Sequence, residues 1–290
     1  MSGEFFIAAL TGFCWSLIGI VLSRSAKDGF DIVSYSLMQN LAAAVLCFFV
    51  YTRLSEIVWN GGFALLCGII LAAAGMNALA QYLVQRAMQS GHYAPVWSMA
   101  QAAMIFPFLC GIIFWKNPAE PVAITGLCCI LCGVILPGYR NFRNFRSWFY
   151  CALGAFFCYG VLQSLYLIPS HVGSLADPGR VRPTLACLGC FAGWGGVALF
   201  RRRPLKFTIP AMRLAGGMAL IHLASVALFF ASLDFFSQAG KGGSAMPFML
   251  GVNLAVFGLY SFFFLRERRT VLQLIAEVLI LGGLLFFCMA

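Results

Sequence analysis

The chain has 290 residues, of which 62% are hydrophobic and 10% are charged, and its formal net charge at pH 7 is +10. Its mean hydropathy of +0.91 excludes a soluble domain, whose surface needs many more charged residues, and indicates a protein with several membrane spans. Basic residues collect in the cytoplasmic loops of membrane proteins, so topology explains the positive charge better than a nucleic-acid partner does.

Long apolar runs, interrupted by charged residues or by Pro and Gly, predict ten membrane-spanning helices. A span needs about 20 residues, so ten spans fit only with short loops. Each span should be helical, because irregular backbone cannot face lipid with its polar groups unpaired. The first run follows Glu4 without a preceding Lys or Arg, so we interpret it as a span and not as a signal peptide. The predicted spans cover residues 5–22, 33–51, 62–86, 92–114, 120–137, 149–169, 182–200, 212–236, 242–264 and 271–289.

The spans form two similar halves of five. Phe13-Cys14-Trp15-Ser16 in the first predicted span has its counterpart in Phe157-Cys158-Tyr159-Gly160, 144 residues later. Trp115-Lys116-Asn117 likewise corresponds to Leu265-Arg266-Glu267, 150 residues later. With five spans per half, the second half must enter the membrane inverted, and inverted repeats are typical of secondary transporters. The predicted domains are a first five-helix repeat at 1–138, a basic linker at 139–148 and a second repeat at 149–290.

The basic residues also predict an orientation. Of the 19 Lys and Arg residues, 14 lie in or beside the loops after the odd-numbered spans and 5 lie on the opposite face. The positive-inside rule therefore places the odd-numbered loops in the cytoplasm and both termini outside. Aromatic and basic residues alternate in the linker, which resembles an RNA-binding patch but better suits a segment that lies on an anionic membrane surface.

The chain resembles the drug/metabolite transporter superfamily, in particular its ten-span members with two EamA-type repeats. The resemblance is carried by the Gly-containing aromatic segments Gly12 to Ser16 and Gly154 to Gly160, by the turn Arg86 to Ser90, and by the closing helix Gln273 to Gly283. It covers nearly the whole chain. It implies an all-α fold and a central cavity lined by spans 1, 3, 4, 6, 8 and 9, with spans 5 and 10 packed together away from it.

The sequence departs from the family pattern at three places. Asn117 stands where an acid is expected in the first half, and Arg266 stands where Gly is expected in the second. Gln39 and Asn40 occupy the region where many members carry an Arg in span 2, so any role of that Arg in binding or gating is in doubt here.

Polar side chains recur on single helix faces inside the predicted spans. Asn77, Gln81 and Gln85 are four residues apart in span 3, which puts them in one stripe. Polar groups at membrane depth usually face a cavity or a partner, and the alternative is that they only bond helix to helix. These residues predict a substrate-binding cavity lined by Trp15, Ser16, Asn77, Gln81, Trp97, Gln101, Tyr159, Gln163, His222 and Asn253.

Two residues are candidates for carrying a coupled proton. His222 ordinarily titrates near neutral pH, and Glu277 is the one acidic residue well inside a predicted span. Each has a structural alternative: a hydrogen-bonded packing histidine in the first case, and in the second a hydrogen bond between spans 5 and 10, which the resemblance favours.

The sequence thus predicts a multi-pass protein of the cell membrane that transports a small organic metabolite by alternating access, with export as the expected direction. Candidate substrates are amino acids, nucleoside-like compounds and amphipathic compounds; an ion or proton is a candidate coupling partner, and the bilayer surrounds the protein. We expect no cofactor, metal or nucleic-acid partner. We also expect no enzymatic activity, because no P-loop, His-Glu-x-x-His or Gly-x-Ser-x-Gly motif occurs. An intramembrane enzyme, with His171 and Asp177 as its candidate acid–base pair, and a non-transporting scaffold are the alternatives.

Overall fold

The computed structural model describes residues 2–117, 120–136, 147–175, 177–201, 204–266 and 271–289. Within these ranges the chain is all-α, as predicted, and forms eleven α-helices with short 3₁₀ or π turns. Most of the predicted linker, residues 139–146, lies outside the described ranges. The helices are α1 (Ser2–Asp28), α2 (Ile32–Tyr51), α3 (Gly61–Met88), α4 (Tyr93–Gln101), α5 (Ile105–Trp115), α6 (Pro121–Ile135), α7 (Ser147–His171), α8 (Arg182–Arg201), α9 (Ile209–Gln238), α10 (Gly242–Tyr260) and α11 (Val271–Met289).

Helices long and apolar enough to cross a membrane make up most of the described chain. Eight such spans occur in it by length and composition, with α4 and α5 counted together as Tyr93–Trp115. Two shorter apolar stretches also occur, Pro121–Gly133 in α6 and Leu274–Gly283 in α11. Large hydrophobic side chains such as Phe49 and Phe200 point outward, 79% and 92% exposed. The chain is therefore a membrane-embedded helical protein, since lipid is the solvent that accepts such a surface.

The fourth predicted span is broken, at a place where its prolines predict a kink. A 3₁₀ turn at Ala102–Met104 separates α4 from α5. Pro107 lies in the first turn of α5, where its ring would clash with the carbonyl four residues earlier, that of Ala103, and where it lacks the N–H that would bond to it. The proline thus accounts for the break.

The helices run up and down through the bundle and define two ends. Thr52 after α2 bonds to Thr184 near the start of α8, and Trp115 at the end of α5 stacks on His171 at the end of α7. We call this the Arg182 end, after the first residue of α8. At the opposite end, Asp31, which lies between α1 and α2, pairs with Arg201, the last residue of α8. We call this the Asp31 end.

Small residues allow the helices to approach closely. A Cβ added to Gly189 of α8 would lie 2.6 Å from the Cβ of Ala74 on α3. One added to Gly283 of α11 would lie 2.5 Å from the carbonyl oxygen of Gly126 on α6. Contacts of this kind stabilise helix pairs in lipid, where apolar burial alone gives no advantage. The α6–α11 contact agrees with the expectation that spans 5 and 10 pack together.

The fourth spans of the two halves end in the same way. Lys116 after α5 has φ 52° and ψ 32° and donates its N–H to Gly111. Arg266, after the π turn Ser261–Leu265 that follows α10, has φ 53° and ψ 36° and donates its N–H to Ser261. Both residues are thus left-handed caps with a bond to the carbonyl five residues earlier, and they are 150 positions apart, at the repeat offset seen in the sequence.

Candidate functional site: a cavity in the middle of the bundle

A small cavity lies in the middle of the bundle, between helices of both halves. Its volume is about 90 Å³, well below the roughly 300–1,000 Å³ of a typical ligand pocket. Nine of the ten residues predicted to bind substrate line it. The lining residues are Trp15, Ile18, Asn77, Gln81, Trp97, Gln101, Tyr159, Leu162, Gln163, Tyr166, Ala186, Cys190, His222, Val226, Phe229, Met246, Leu250 and Asn253.

The exception is Ser16, which the structure does not bring to the cavity. Its side chain is fully buried, and its hydroxyl donates to the carbonyl oxygen of Phe13 at 2.6 Å. Serine in a membrane helix commonly satisfies itself this way, on its own preceding turn. The prediction of Ser16 as a cavity residue is therefore corrected: Trp15 faces the cavity and Ser16 faces away from it.

The cavity wall contains a hydrogen bond between the two halves. The indole Nε1–H of Trp97 on α4 donates to Oδ1 of Asn253 on α10 at 3.2 Å, and both side chains are buried. The two residues belong to the fourth span of each half. Their bond fixes the indole plane and uses the donor of Trp97 and one acceptor of Asn253.

A second polar chain links α3 to α8. Gln81 donates from Nε2 to Oδ1 of Asn77 at 3.3 Å, Asn77 donates from Nδ2 to Sγ of Cys190 at 3.5 Å, and the thiol lies 3.4 Å from the carbonyl oxygen of Ala74. The amide stripe predicted on α3 thus does both things considered for it, since it lines the cavity and bonds to the next helix.

Several polar atoms of the lining have no partner. Oε1 of Gln101, Oε1 of Gln163 and Nδ1 of His222 are buried without a hydrogen bond. An unpaired buried polar group costs about 1–3 kcal/mol. In this arrangement the three lining atoms can therefore still gain hydrogen bonds. Groups of this kind at a cavity are candidates for ligand contact.

Aromatic rings close the cavity toward the Arg182 end. The ring of Phe229 lies 5.0 Å from that of Trp15 and 5.4 Å from that of Tyr166. Phe230 follows on the same helix, with its ring 4.9 Å from that of Phe229. We call Trp15, Tyr166, Phe229 and Phe230 the aromatic layer.

Sequence reasoning missed some of the lining. Tyr166 was placed by its spacing on the same face as Tyr159 and Gln163, although it was not counted among the binding residues. Phe229 was missed; it lies two turns after His222, so helical periodicity could have found it. Ala186 and Cys190 belong to α8, the seventh predicted span, which was not expected at the cavity. Nothing in their residue types distinguishes them from packing residues.

Beyond the aromatic layer lies an ionic cluster. Arg182 donates to both carboxylate oxygens of Asp234, and Nη1 lies 3.0 Å from Oδ1. Ser170 also donates to Asp234, at 2.7 Å, and the guanidinium lies over the ring of Phe230, 5.1 Å from its centroid. Asp177 accepts from the backbone N–H of Arg182 at 2.9 Å. A vestibule of about 490 Å³ opens among these residues.

A larger and more polar vestibule occupies the Asp31 end. Its volume is about 580 Å³ and its lining includes Gln85, Arg86 and Lys206. Gln85, the third member of the predicted stripe, is buried, with Nε2 at 3.5 Å from Oγ of Ser25. The stripe on α3 therefore continues from the central cavity into this vestibule.

Other candidate groups do not join the cavity. The carboxylate of Asp177 accepts from the backbone N–H groups of Val181 and Arg182, while Nδ1 of His171 lies against the carbonyl oxygen of Leu167. The two side chains bond to different partners and do not form an acid–base pair with each other. The side chain of Glu277 lies outside what the structure describes, so its predicted role stays open.

The arrangement of helices is shared with known structures, whereas the sequence finds no match. No family model and no curated protein matches the chain. Of the solved structures, 24 chains match it. One, described only as "Crystal structure of protein", has a TM-score of 0.69 and 13% identity, and the alignment covers 99% of this chain and 96% of that one. At this identity the likeness establishes a common fold and nothing further.

Proposed function

We propose that the protein is a secondary transporter that carries a small organic molecule across the cell membrane by alternating access, in the export direction. The observation that carries the proposal is a small central cavity built from both halves of the chain. A cavity of about 90 Å³ lies between vestibules of about 580 Å³ and 490 Å³ at opposite ends. A narrow site between two wide openings is what alternating access needs, since substrate must reach the site from either side and never from both.

Helix pairing supports ten spans in two inverted repeats. In the first half α3 packs against α7 and α8, and in the second half α9 packs against α1 and α2. If α1, α2 and α3 correspond to α7, α8 and α9, the contacts of α3 with α7 and α8 correspond to the contacts of α9 with α1 and α2. The left-handed caps Lys116 and Arg266 lie at opposite ends of the bundle, as inversion requires. Two such halves can exchange conformations around one site.

The mechanism follows from what closes each end. Toward the Arg182 end, the aromatic layer and the bidentate Arg182–Asp234 pair separate the cavity from its vestibule. Toward the Asp31 end, the path runs along the amide stripe of α3, from Gln81 to Gln85. Opening the first end needs the rings of Tyr166 and Phe229 to part and the ion pair to break, whereas opening the second needs α3 to move from α1 and α8.

An intramembrane enzyme remains the alternative function. Its strongest candidate pair, His171 and Asp177, is occupied by other partners. The cavity contributes amides, aromatic rings and one imidazole, and this set suits binding better than acid–base chemistry.

Comparing the metabolites exported by cells tests the proposal. Cells that produce the wild-type protein should release at least one organic metabolite faster than cells with an empty vector. Gln81→Leu and Trp97→Phe should abolish this release while the purified variants still elute as folded protein. Trp59→Phe, at a 75% exposed position outside the cavity and both vestibules, is the matched control for Trp97→Phe and should export normally. Equal release by all these cells would refute transport.

Orientation has its own test. A reporter fused after Ala290 should read as external, because the basic residues place both termini outside. A cytoplasmic signal would reverse the assignment of the Asp31 end to the cytoplasm and leave the rest of the proposal intact.

A further inference from the structure

We infer that the central cavity takes an uncharged molecule with a flat ring and N–H donors, the chemistry of a nucleobase or an aromatic amide. The inference rests on the proposed function, because it names the class of molecule that the transporter carries. Three properties of the lining lead to it: its charge, its rings and its unpaired oxygens.

The lining has no permanently charged side chain. Among the described residues that surround the cavity there is no Lys, Arg, Asp or Glu, and His222 supplies one imidazole, a group that is mostly neutral at pH 7.5. Arg182 and Asp234, in the vestibule beyond the aromatic layer, are bonded to each other. A charged ligand would lose its hydration in this cavity and gain no opposite charge, which is strongly unfavourable. The cavity therefore selects against carboxylates, ammonium groups and zwitterions.

The rings of the lining favour a flat ligand. Five aromatic side chains contribute to the cavity wall, and Trp97 is held in place by its bond to Asn253. Aromatic rings pack best with other rings, offset or edge to face. The remaining apolar lining, such as Leu162 and Val226, is aliphatic. A planar ligand can contact both kinds of surface with little polar cost.

The unpaired oxygens of the lining favour a ligand with hydrogen-bond donors. Gln101 and Gln163 line the cavity, their side chains are 3% and 4% exposed, and neither Oε1 has a hydrogen-bond partner. The carboxamide group turns about its terminal torsion, so each oxygen can face the cavity once the cavity widens. A ligand N–H then supplies the missing bond, whereas a ligand without donors leaves both oxygens unpaired. The two glutamines come from α4 and α7, so one ligand can bridge the halves.

Four probes of nearly equal size separate these properties. Benzamide is flat, uncharged and carries two N–H bonds; acetophenone is flat and uncharged but lacks the donors; benzoate is an anion and benzamidinium a cation. The measurement is the rise in melting temperature of the purified wild-type protein at pH 7.5 as each probe is titrated. Benzamide should stabilise the protein, and the other three should need at least about tenfold higher concentrations for the same shift, the loss expected when a hydrogen bond goes unmade.

Substitutions at the two glutamines locate the effect. Gln101→Leu and Gln163→Leu should melt no lower than wild type without ligand, because leucine leaves no unpaired oxygen in the wall. Both should weaken benzamide binding by about tenfold. Gln89→Leu, outside the cavity, should bind benzamide as wild type does.

The outcomes separate the ligand class from the transport proposal. Benzoate or benzamidinium binding as well as benzamide would overturn the charge argument, and equal binding of acetophenone would overturn the donor argument. A protein stabilised by none of the four would overturn the inference as a whole. Benzamide binding without any metabolite export would refute transport and keep the ligand class, whereas export of a charged metabolite without benzamide binding would do the reverse.

Discussion

The two ends of the bundle carry ion pairs of different size. At the Arg182 end, one guanidinium that is 13% exposed bonds to Asp234, which is 32% exposed, and also lies beside the buried Asp177. At the Asp31 end, Arg201, which is 26% exposed, pairs at 2.7 Å with a single carboxylate, that of Asp31, which is 10% exposed. The first cluster joins three membrane helices directly beyond the aromatic layer; the second ties a loop to the tip of one helix.

This difference indicates which end of the bundle opens at the lower free-energy cost. A network with two carboxylates, one of them buried, leaves more uncompensated charge when it breaks than a single ion pair does, and Asp31 keeps its hydrogen bonds from Ser34 when Arg201 leaves. We therefore expect the protein at rest to be closed more firmly at the Arg182 end. The predictions below test that ranking.

The largest effect should come from Arg182→Ala. The substitution leaves Asp234 and the nearly buried Asp177 without their cation, so it should lower the free energy of unfolding by about 3 kcal/mol. Thermal or denaturant unfolding in detergent measures the loss. The double variant Arg182→Ala/Asp234→Ala should lose less than the sum of the two single variants, because one unpaired charge has been removed. A loss no greater than that of Asp31→Asn would break the comparison.

Gly189→Ala tests the packing between the two ends. The new Cβ would meet the Cβ of Ala74 at 2.6 Å and the carbonyl oxygen of Leu71 at 2.8 Å. We expect a loss of about 2 kcal/mol, because backbone atoms on α3 cannot step aside as a flexible side chain can. Gly195→Ala on the same helix has open space around its Cβ and should be neutral or slightly stabilising. Equal behaviour of the two variants would show that α8 is not held tightly against α3.

Asp31→Asn should have a smaller effect. It removes the charge that pairs with Arg201 but keeps an oxygen for the hydroxyl and N–H of Ser34. We expect a loss of about 1 kcal/mol in the same unfolding measurement. Asp28→Asn is the control, since Asp28 lies 3.8 Å from Arg24 in a pair whose side chains are both half-exposed. A loss as large as that of Arg182→Ala would reverse the ranking of the two ends.

Acid should weaken the Asp31 end in a defined range of pH. Burial of Asp31 opposes its ionisation, but hydrogen bonds from Ser34 and Arg201 outweigh it and lower its pKa below the usual 3.8. A lowered pKa in the folded state gives stability that is present at neutral pH and is lost as the pH falls through that value. The stability difference between wild type and Asp31→Asn should therefore stay constant from pH 7 to about 5 and shrink below about pH 4. A difference that is constant down to pH 3 would contradict this.

Helix positions were accessible from the sequence, because lipid demands long apolar runs. The predicted span 33–51 corresponds to Ile32–Tyr51, and 182–200 to Arg182–Arg201. Pro107, well inside the predicted span 92–114, gave a local reason to expect a kink there, but not the full break into two helices at Ala102–Met104.

Much of the cavity wall was also predictable. Polar residues one turn apart, such as Asn77 and Gln81, must share a face, and polar faces in lipid turn inward. Which polar residue instead bonds to its own helix, as Ser16 does, depends on a rotation that spacing does not determine. The Arg182–Asp234 pair joins residues 52 positions apart, so it follows from the packing of α8 on α9 and has no local signal.

Helix α8 has an arginine at each end, and this ties the bundle to the lipid around it. From Arg182 to Arg201 the helix is 20 residues long, which corresponds to about 30 Å, close to the thickness of the hydrocarbon layer. Both guanidinium groups are fixed to acids on other elements, so neither can reach up or down freely to meet the water interface. A thinner or thicker bilayer would therefore strain both ion pairs together. The length of the lipid chains would then affect the Arg182 end and the Asp31 end at once, through α8.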